Sequence, residues 1–225
     1  MIDFSSTTFE VQDFVDLTPP SSGGDNVQYG YVTSKDGVRI NGSNGVVIND
    51  NLVTHNGSNP AIIMSNIEGL ADLIADNSWE IVTKVNNFKG ANLVLGLYNT
   101  GISGTLYNQA TYCNFQTSSK SNYRWAYEHI YTTSDNSNNV NHSLGETFNG
   151  YIKFERNKAE DKYILSYSIT KETWTAINTY SFAGTTTRNQ LVFVRLWDGT
   201  AGTANFDLKE TYLTINGSKI WQAMK

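Results

Sequence analysis

"YIKFERNKAEDKYILSYSI", residues 151–169, decides the fold. Successive side chains of a β-strand point to opposite faces, so Ile152 and Phe154 share one face while Tyr151, Lys153 and Glu155 share the other. The polar run that follows, which holds Glu160 and Asp161, reads as the turn of a hairpin. A strand that is apolar on one side and polar on the other belongs to an antiparallel sheet with one face on a core.

The same pattern recurs along the chain. "SWEIVTKV" (78–85), "ANLVLGLY" (91–98), "WTAINTYSF" (174–182), "LVFVRLW" (191–197) and "FDLKETYLTI" (206–215) alternate or are rich in β-branched residues. Between such runs stand Asn41-Gly42, Asn44-Gly45, Asn56-Gly57, Asn149-Gly150, Asn216-Gly217, Asp36-Gly37 and Asp198-Gly199, pairs that supply the positive φ angles of tight hairpins. Many short strands with polar turns predict an all-β, two-sheet antiparallel sandwich. One segment departs from this. In "SNIEGLADLIAD" (65–76), Ile67, Leu70, Leu73 and Ile74 follow helical spacing, and Ser65 with Glu68 forms a capping-box pattern, so one short helix is expected at an end of the sandwich.

Residues 18–25, "TPPSSGGD", read as a linker. They divide the chain into an attachment segment with its linker (1–25) and a main domain (26–225). Phe4, Phe9, Phe14 and Val15 of the first piece are too few to form a core of their own, so it packs back on the domain or attaches to something else.

Composition narrows the function. The chain has 225 residues, 39% of them hydrophobic, 12% aromatic and only 16% charged, which suits a folded domain made soluble by neutral polar groups. A net charge of −5 without a basic cluster argues against nucleic acid as the partner. No stretch is long and apolar enough to insert in a membrane, and the first residues lack the form of a secretory signal, so synthesis in the cytoplasm without a signal peptide is expected. The single cysteine, Cys113, excludes an intrachain disulfide and reads as a small packed hydrophobe. His55, His129 and His142 are isolated and show no metal-ligand spacing, and no nucleophile elbow or phosphate loop is present.

Three stretches carry a resemblance to a known family: "NSWEIVTKV" (77–85), the hairpin 151–169 and "FDLKETYLTINGSKIW" (206–221), whose Ile215-Asn216-Gly217-Ser218-Lys219 closes the domain with a hairpin. From about residue 26 onward the chain resembles the concanavalin A-like lectin/glucanase sandwiches, in the laminin-G-like form found in bacteriophage tail and virion proteins. The resemblance implies a two-sheet jelly roll displayed on a virion surface, binding a host cell-surface polysaccharide, and joined to other virion proteins and to its own copies, with a trimer as the implied assembly. Hydrolases of that family carry Glu-x-Asp-x-x-Glu on one strand. This chain has no such run. Asp207 and Glu210 are three apart and would face opposite ways on a regular strand, so a non-enzymatic role is expected. Relatives also use a loop calcium. Asp135, Asn136 and Asn138, or Asp50 and Asn51, offer oxygen ligands, although neither loop matches a calcium motif and solvated turns explain both.

The alternation also nominates a binding face. Val192, Val194 and Leu196 form a uniform apolar row, as do Leu93, Leu95 and Leu97, and such rows belong inside. That leaves Phe193, Arg195 and Trp197, with Asn92, Val94, Gly96 and Tyr98, facing outward. Aromatic rings stack on the CH faces of sugars while Arg, Asn and Asp bond their hydroxyls. Trp197 with Asp198 is the preferred anchor, supported by Arg195, Tyr98 and Asn92. The same row could instead cover a subunit contact. In "NYRWAYEHIY" (122–131) two readings stand open. Either Tyr123, Trp125 and Tyr127 face the core with Tyr131 near the rim, or the strand crosses a groove and Trp125 becomes the stacking platform. The functions weighed against glycan binding are a structural virion protein that binds protein and a divergent glycoside hydrolase.

Overall fold

In a computed structural model of the chain, residues 31–33, 39–41, 46–49, 51–55, 61–67, 69–89, 91–98, 110–117, 122–124, 142–143, 147–181, 191–198 and 204–223 are described. The segment 1–25, Asp50, Glu68, residues 125–131 with Trp125 and Tyr131, and the loop 134–139 lie outside the described residues.

The described strands form two antiparallel sheets. Neighbours in the first are, in order, β1 (Tyr31–Thr33), β2 (Arg39–Asn41), β5 (Ala61–Asn66), β14 (Leu191–Asp198), β7 (Ala91–Tyr98), β8 (Ala110–Thr117), β9 (Asn122–Arg124) and β10 (His142–Ser143). The second runs β13 (Thr175–Ser181), β12 (Lys162–Ser168), β11 (Phe148–Asn157), β6 (Trp79–Phe88), β15 (Asn205–Ile215), β4 (Leu52–His55) and β3 (Val46–Asn49), with β16 (Ser218–Gln222) also paired to β15. The all-β sandwich read from the sequence is what the chain forms.

The core lies between the sheets. Leu93, Leu95, Leu97, Cys113, Val194 and Leu196 from the first sheet join Trp79, Ile81, Val85, Ile152, Phe154, Leu165, Phe206 and Leu213 from the second in one buried cluster. Fully burying one such side chain contributes about 1.5–3 kcal/mol. The Trp79 ring meets Phe154 edge-on at 5.2 Å and Tyr163 at 5.8 Å. The hairpin 151–169 alternates as expected: Ile152 and Phe154 are buried, and Tyr151, Lys153 and Glu155 are half-buried on the other side. Cys113 is a core residue, and burial pushes its thiol pKa far above the ordinary range.

The helix is present but shorter than its sequence pattern. Helix α1 (Leu70–Ala75) has Gly69 at its N-cap with φ 70°, and no side chain caps it. The expected capping box is not formed, because Ser65 belongs to β5, where it pairs with Val192. The ladder to β14 claims that backbone before a helix can. Ile67, Leu70 and Ile74 nevertheless enter the core, with Leu73 packed against it. At the other end Arg156 Nη1 donates to the Ile74 and Ala75 carbonyls, both at 3.4 Å, serving helix-end groups that lack intrahelical partners.

β15 is not a regular strand. Asp207 pairs with Lys84 and Tyr212 with Val82, so residues 208–211 oppose Thr83 alone. Two buried hydroxyls hold this bulge. Thr211 Oγ1 donates to the Asp207 carbonyl at 2.6 Å, and Thr83 Oγ1 lies 2.6 Å from Thr211 Oγ1. Since the Thr211 proton is committed to Asp207, Thr83 is the donor in that second bond.

Candidate functional site

In an antiparallel ladder, residues directly opposite each other share a face. Register therefore groups residues from strands far apart in sequence. Trp197 pairs with Asn92, Asn92 with Gln116, and Gln116 with Arg124. This row crosses β14, β7, β8 and β9 on the side opposite the buried Leu93, Leu95 and Leu97. A second row on that side runs Arg39, Met64, Phe193, Gly96, Tyr112. A third joins Ile62, Arg195, Val94 and Asn114. Tyr98 stands opposite Leu191 and Ala110 at the other end of the same face.

The register thus puts Trp197 and Asn92 in one row with Arg195 in the row beside it, leaves Tyr98 at the far end of the same face, and adds Gln116, Arg124 and Tyr112, which reading strands singly did not select. Two expectations need correction. Asp198 pairs with Ala91, a core residue, so it falls in the series opposite to Trp197 rather than beside it; neighbours along a strand alternate faces. Val94, expected in an open outward row, is only 2% exposed although it lies outside the core cluster. Tyr123 pairs with Thr117, which places the start of the 122–131 stretch in the core-side series, with Arg124 on the outer side.

On the outer face of the second sheet, β6, β11 and β15 lie side by side. Tyr151, Lys84 and Asp207 form one cross-strand row, and Lys153, Val82 and Tyr212 form the next. Lysines and rings interleave there. Lys171 Nζ lies 5.1 Å from the Tyr151 ring centre and 4.8 Å from that of Tyr212, while Lys219 approaches Tyr212 at 4.5 Å. Lys153 lies 4.7 Å from the centre of the Trp174 ring. Lys171 also bonds Glu210 at 2.7 Å, tying the β12–β13 connection to the bulge. Partial burial by itself would lower the Lys171 pKa, but the hydrogen bond to Glu210 and the charges of Tyr212 and Glu210 prevail and raise it. Burial raises the Tyr212 pKa, against the pull of Lys171. The alternation Tyr151-x-Lys153-x-Glu155 marked this face as outward, but the contribution of Tyr212 needed the register across the bulge.

Among the described residues, Asn51, Asp207 and Glu210 have local partners. Asp207 accepts from the Asn51 side-chain amide and from the Lys209 backbone N–H, and Glu210 is held by Lys171. Asp207 and Glu210 sit at the start and inside of the bulge, so strand alternation does not govern their relative placement. His55 and His142 belong to different sheets. Among the described residues no group of three or more His, Cys, Asp and Glu is placed to hold a metal ion.

No protein-family model and no curated sequence matches the chain. Solved structures do. The CBM2 module of the evolved Dit of Lactobacillus casei BL23 phage J-1 is similar at a TM-score of 0.52 and 10% identity, covering 83% of this chain and 80% of that one. A sialidase matches at 0.50 and 8% identity, over 87% of this chain but only 18% of its own. At such identities the likeness speaks for the fold alone. Together with the two stacked antiparallel sheets, it gives this chain the concanavalin A-like jelly-roll fold.

Proposed function

We propose that this chain is a non-enzymatic carbohydrate-recognition domain that binds through the outer face of its first sheet. The observation that carries the reading is the register row Trp197–Asn92–Gln116–Arg124. It lines up one large aromatic residue, two amides and a guanidinium across four strands, the set that stacks a pyranose face and bonds its hydroxyls. The binding zone is the Trp197 end of the face, where that row lies. The phage CBM2 module of like fold supports the reading.

In its finer form the proposal makes the chain a component of a phage or virion surface that attaches to a host polysaccharide. Residues 1–25 would supply the link to other virion proteins, and several copies would raise the avidity of a weak single site. The test is a glycan array that includes bacterial surface polysaccharides, run with the native chain and with Trp197→Ala. Binding lost in Trp197→Ala while its circular dichroism is unchanged supports the site. Binding that survives moves the site elsewhere. Silence across the array favours a structural protein whose outer face meets another protein.

A further inference from the structure

The charged residues of the chain are sorted between its two sheets. Extending the register rows to the edges of the first sheet places Tyr31, Thr33, Arg39 and Asn41 of β1 and β2, with Asn122 and Ser143 of β9 and β10, on the outer face already described. Among the described residues of that face the charged ones are Arg39, Arg195 and Arg124, and none is Asp, Glu or Lys. The second sheet is built the other way, with lysines set against carboxylates. There Lys153 lies against Glu80 and Glu155, Lys162 against Glu160, and Lys171 against Glu210.

Composition alone would not give this bias. The chain has a net charge of −5 and more than twice as many lysines as arginines, yet three of its five arginines share this face and no described lysine does. Arginine carries a planar fork of donors that grips an oxyanion through two parallel hydrogen bonds, which the lysine ammonium cannot do. Because no described carboxylate shares the face, an incoming anion meets attraction without an opposing charge. The placement is also ordered. Arg124 ends the row of Trp197, Asn92 and Gln116, Arg195 lies in the row beside it, and Arg39 lies one row further on. At about 4.8 Å between neighbouring strands and about 3.3 Å per residue along them, the three positions follow a diagonal of about 25 Å from β9 to β2. A diagonal of that length suits an extended polymer, and one that repeats a charge along its length can meet all three.

We infer that the ligand of this face is an acidic polysaccharide, one whose repeat carries an oxyanion, either a carboxylate or a phosphodiester. The inference rests on the glycan-binding reading above and gives it a substrate class. Arg195 takes an oxyanion next to the ring stacked at Trp197. Arg124 takes one further along, past the amides of Asn92 and Gln116, and Arg39 extends the track in the other direction. A single-stranded nucleic acid also offers stacking and phosphate, but the net charge of −5 sets the rest of the molecule against so dense a polyanion.

The test is calorimetric titration of the whole chain with polygalacturonate, its methyl-esterified form, hyaluronan, a poly(glycerol phosphate) teichoic acid, dextran and oligo-dT. At least one acidic polysaccharide should bind, less tightly at about 500 mM than at about 50 mM NaCl, and the esterified polymer and dextran should not. Binding of polygalacturonate or hyaluronan identifies the carboxylate as the oxyanion, and binding of teichoic acid identifies the phosphodiester. Arg195→Gln and Arg124→Gln should each weaken binding roughly 10-fold or more, the size of one charge-assisted hydrogen bond, with circular dichroism unchanged. Lys162→Gln, which removes the same charge from the other sheet, should bind like the native chain. If Arg195→Gln does not fold, Arg124→Gln carries the test together with Arg39→Gln. The inference is overturned if no acidic polymer binds, if a neutral polymer binds as tightly as the acidic ones, if neither arginine variant weakens binding, or if oligo-dT binds as tightly as the acidic polysaccharides. Where a neutral glycan of the array binds and Trp197→Ala abolishes it, while no acidic polymer binds, the recognition face stands and only its substrate class falls.

Discussion

Thr83 and Thr211 offer an unequal pair of substitutions. Both side chains are fully buried, and the hydrogen bonds run in one direction, from Thr83 to Thr211 and from Thr211 to the Asp207 carbonyl. Thr83→Val removes the first donor and leaves Thr211 with its own donation intact. The expected loss is one net hydrogen bond, about 0.5–1.5 kcal/mol. Thr211→Val strands the Thr83 hydroxyl, which is closed to solvent, and removes the side-chain donor to the carbonyl of half-buried Asp207. One stranded hydroxyl at about 1–3 kcal/mol and one lost hydrogen bond at about 0.5–1.5 kcal/mol should together cost roughly 1.5–4.5 kcal/mol. The double variant no longer contains the stranded Thr83 hydroxyl, so it should cost less than the sum of the singles, by on the order of 1 kcal/mol. Urea unfolding of the four proteins measures all three quantities, with midpoints compared at a common m-value. If Thr83→Val proves as damaging as Thr211→Val, or if the two effects add, the direction assigned to this relay is wrong.

Three further outcomes follow from the same geometry. A Cβ on Gly150 would come within 2.4 Å of the Ser168 carbonyl and 2.7 Å of the Phe148 ring, so Gly150→Ala should cost about 1–3 kcal/mol in urea unfolding; a neutral result would mean that the β11–β12 ladder gives way freely. Burial raises the Cys113 pKa, so above its unfolded value of about 8.5 the unfolded chain releases a proton that the folded chain keeps. Stability is then full below about pH 8.5 and falls by up to about 1.4 kcal/mol per pH unit above it, and Cys113→Ala should flatten that slope between pH 8.5 and 10. Lys171→Met removes an ion pair and two ring contacts that are about one-third exposed, so a loss of about 1 kcal/mol that shrinks in high salt is expected from denaturation at two salt concentrations.

What the sequence made legible is what a strand encodes within itself. Alternation in 151–155 and in 91–97 identified the core side of both sheets, because a buried face tolerates almost no unpaired polar group. The Asn216-Gly217 turn was legible for the same local reason: both residues take positive φ, 48° and 80°. The helix shows where local signals fail. The helical spacing of Ile67, Leu70 and Ile74 did mark a helix, yet its start was misplaced because pairing of Ser65 with Val192, a partner 127 positions away, outranks a capping pattern. The candidate site sits at the same boundary. Outward residues could be named strand by strand, but the adjacency of Trp197, Asn92 and Gln116 exists only in the register of distant strands. Asp198 was a different matter, since alternation alone sets it across the sheet from Trp197. The four-residue bulge in β15 breaks the period of two and left no readable mark in the sequence.

Strand order has a consequence for how the chain comes into being. β14 lies between β5 and β7 in the first sheet, and β15 lies beside β6 in the second, so each sheet has an interior place filled by residues beyond position 190. While a ribosome is still making the chain, the earlier strands emerge with those places open and with apolar faces and unpaired backbone toward the cell. Neither sheet can close until residues 191–215 have left the exit tunnel, however early β5, β6 and β7 were made. Such late, long-range closure is slow and exposes the nascent chain to aggregation. A ribosome stalled before residue 191 should therefore hold a chain that binds chaperones and is readily cut by protease, and one stalled on a C-terminal linker long enough to free residues 1–225 from the tunnel should not.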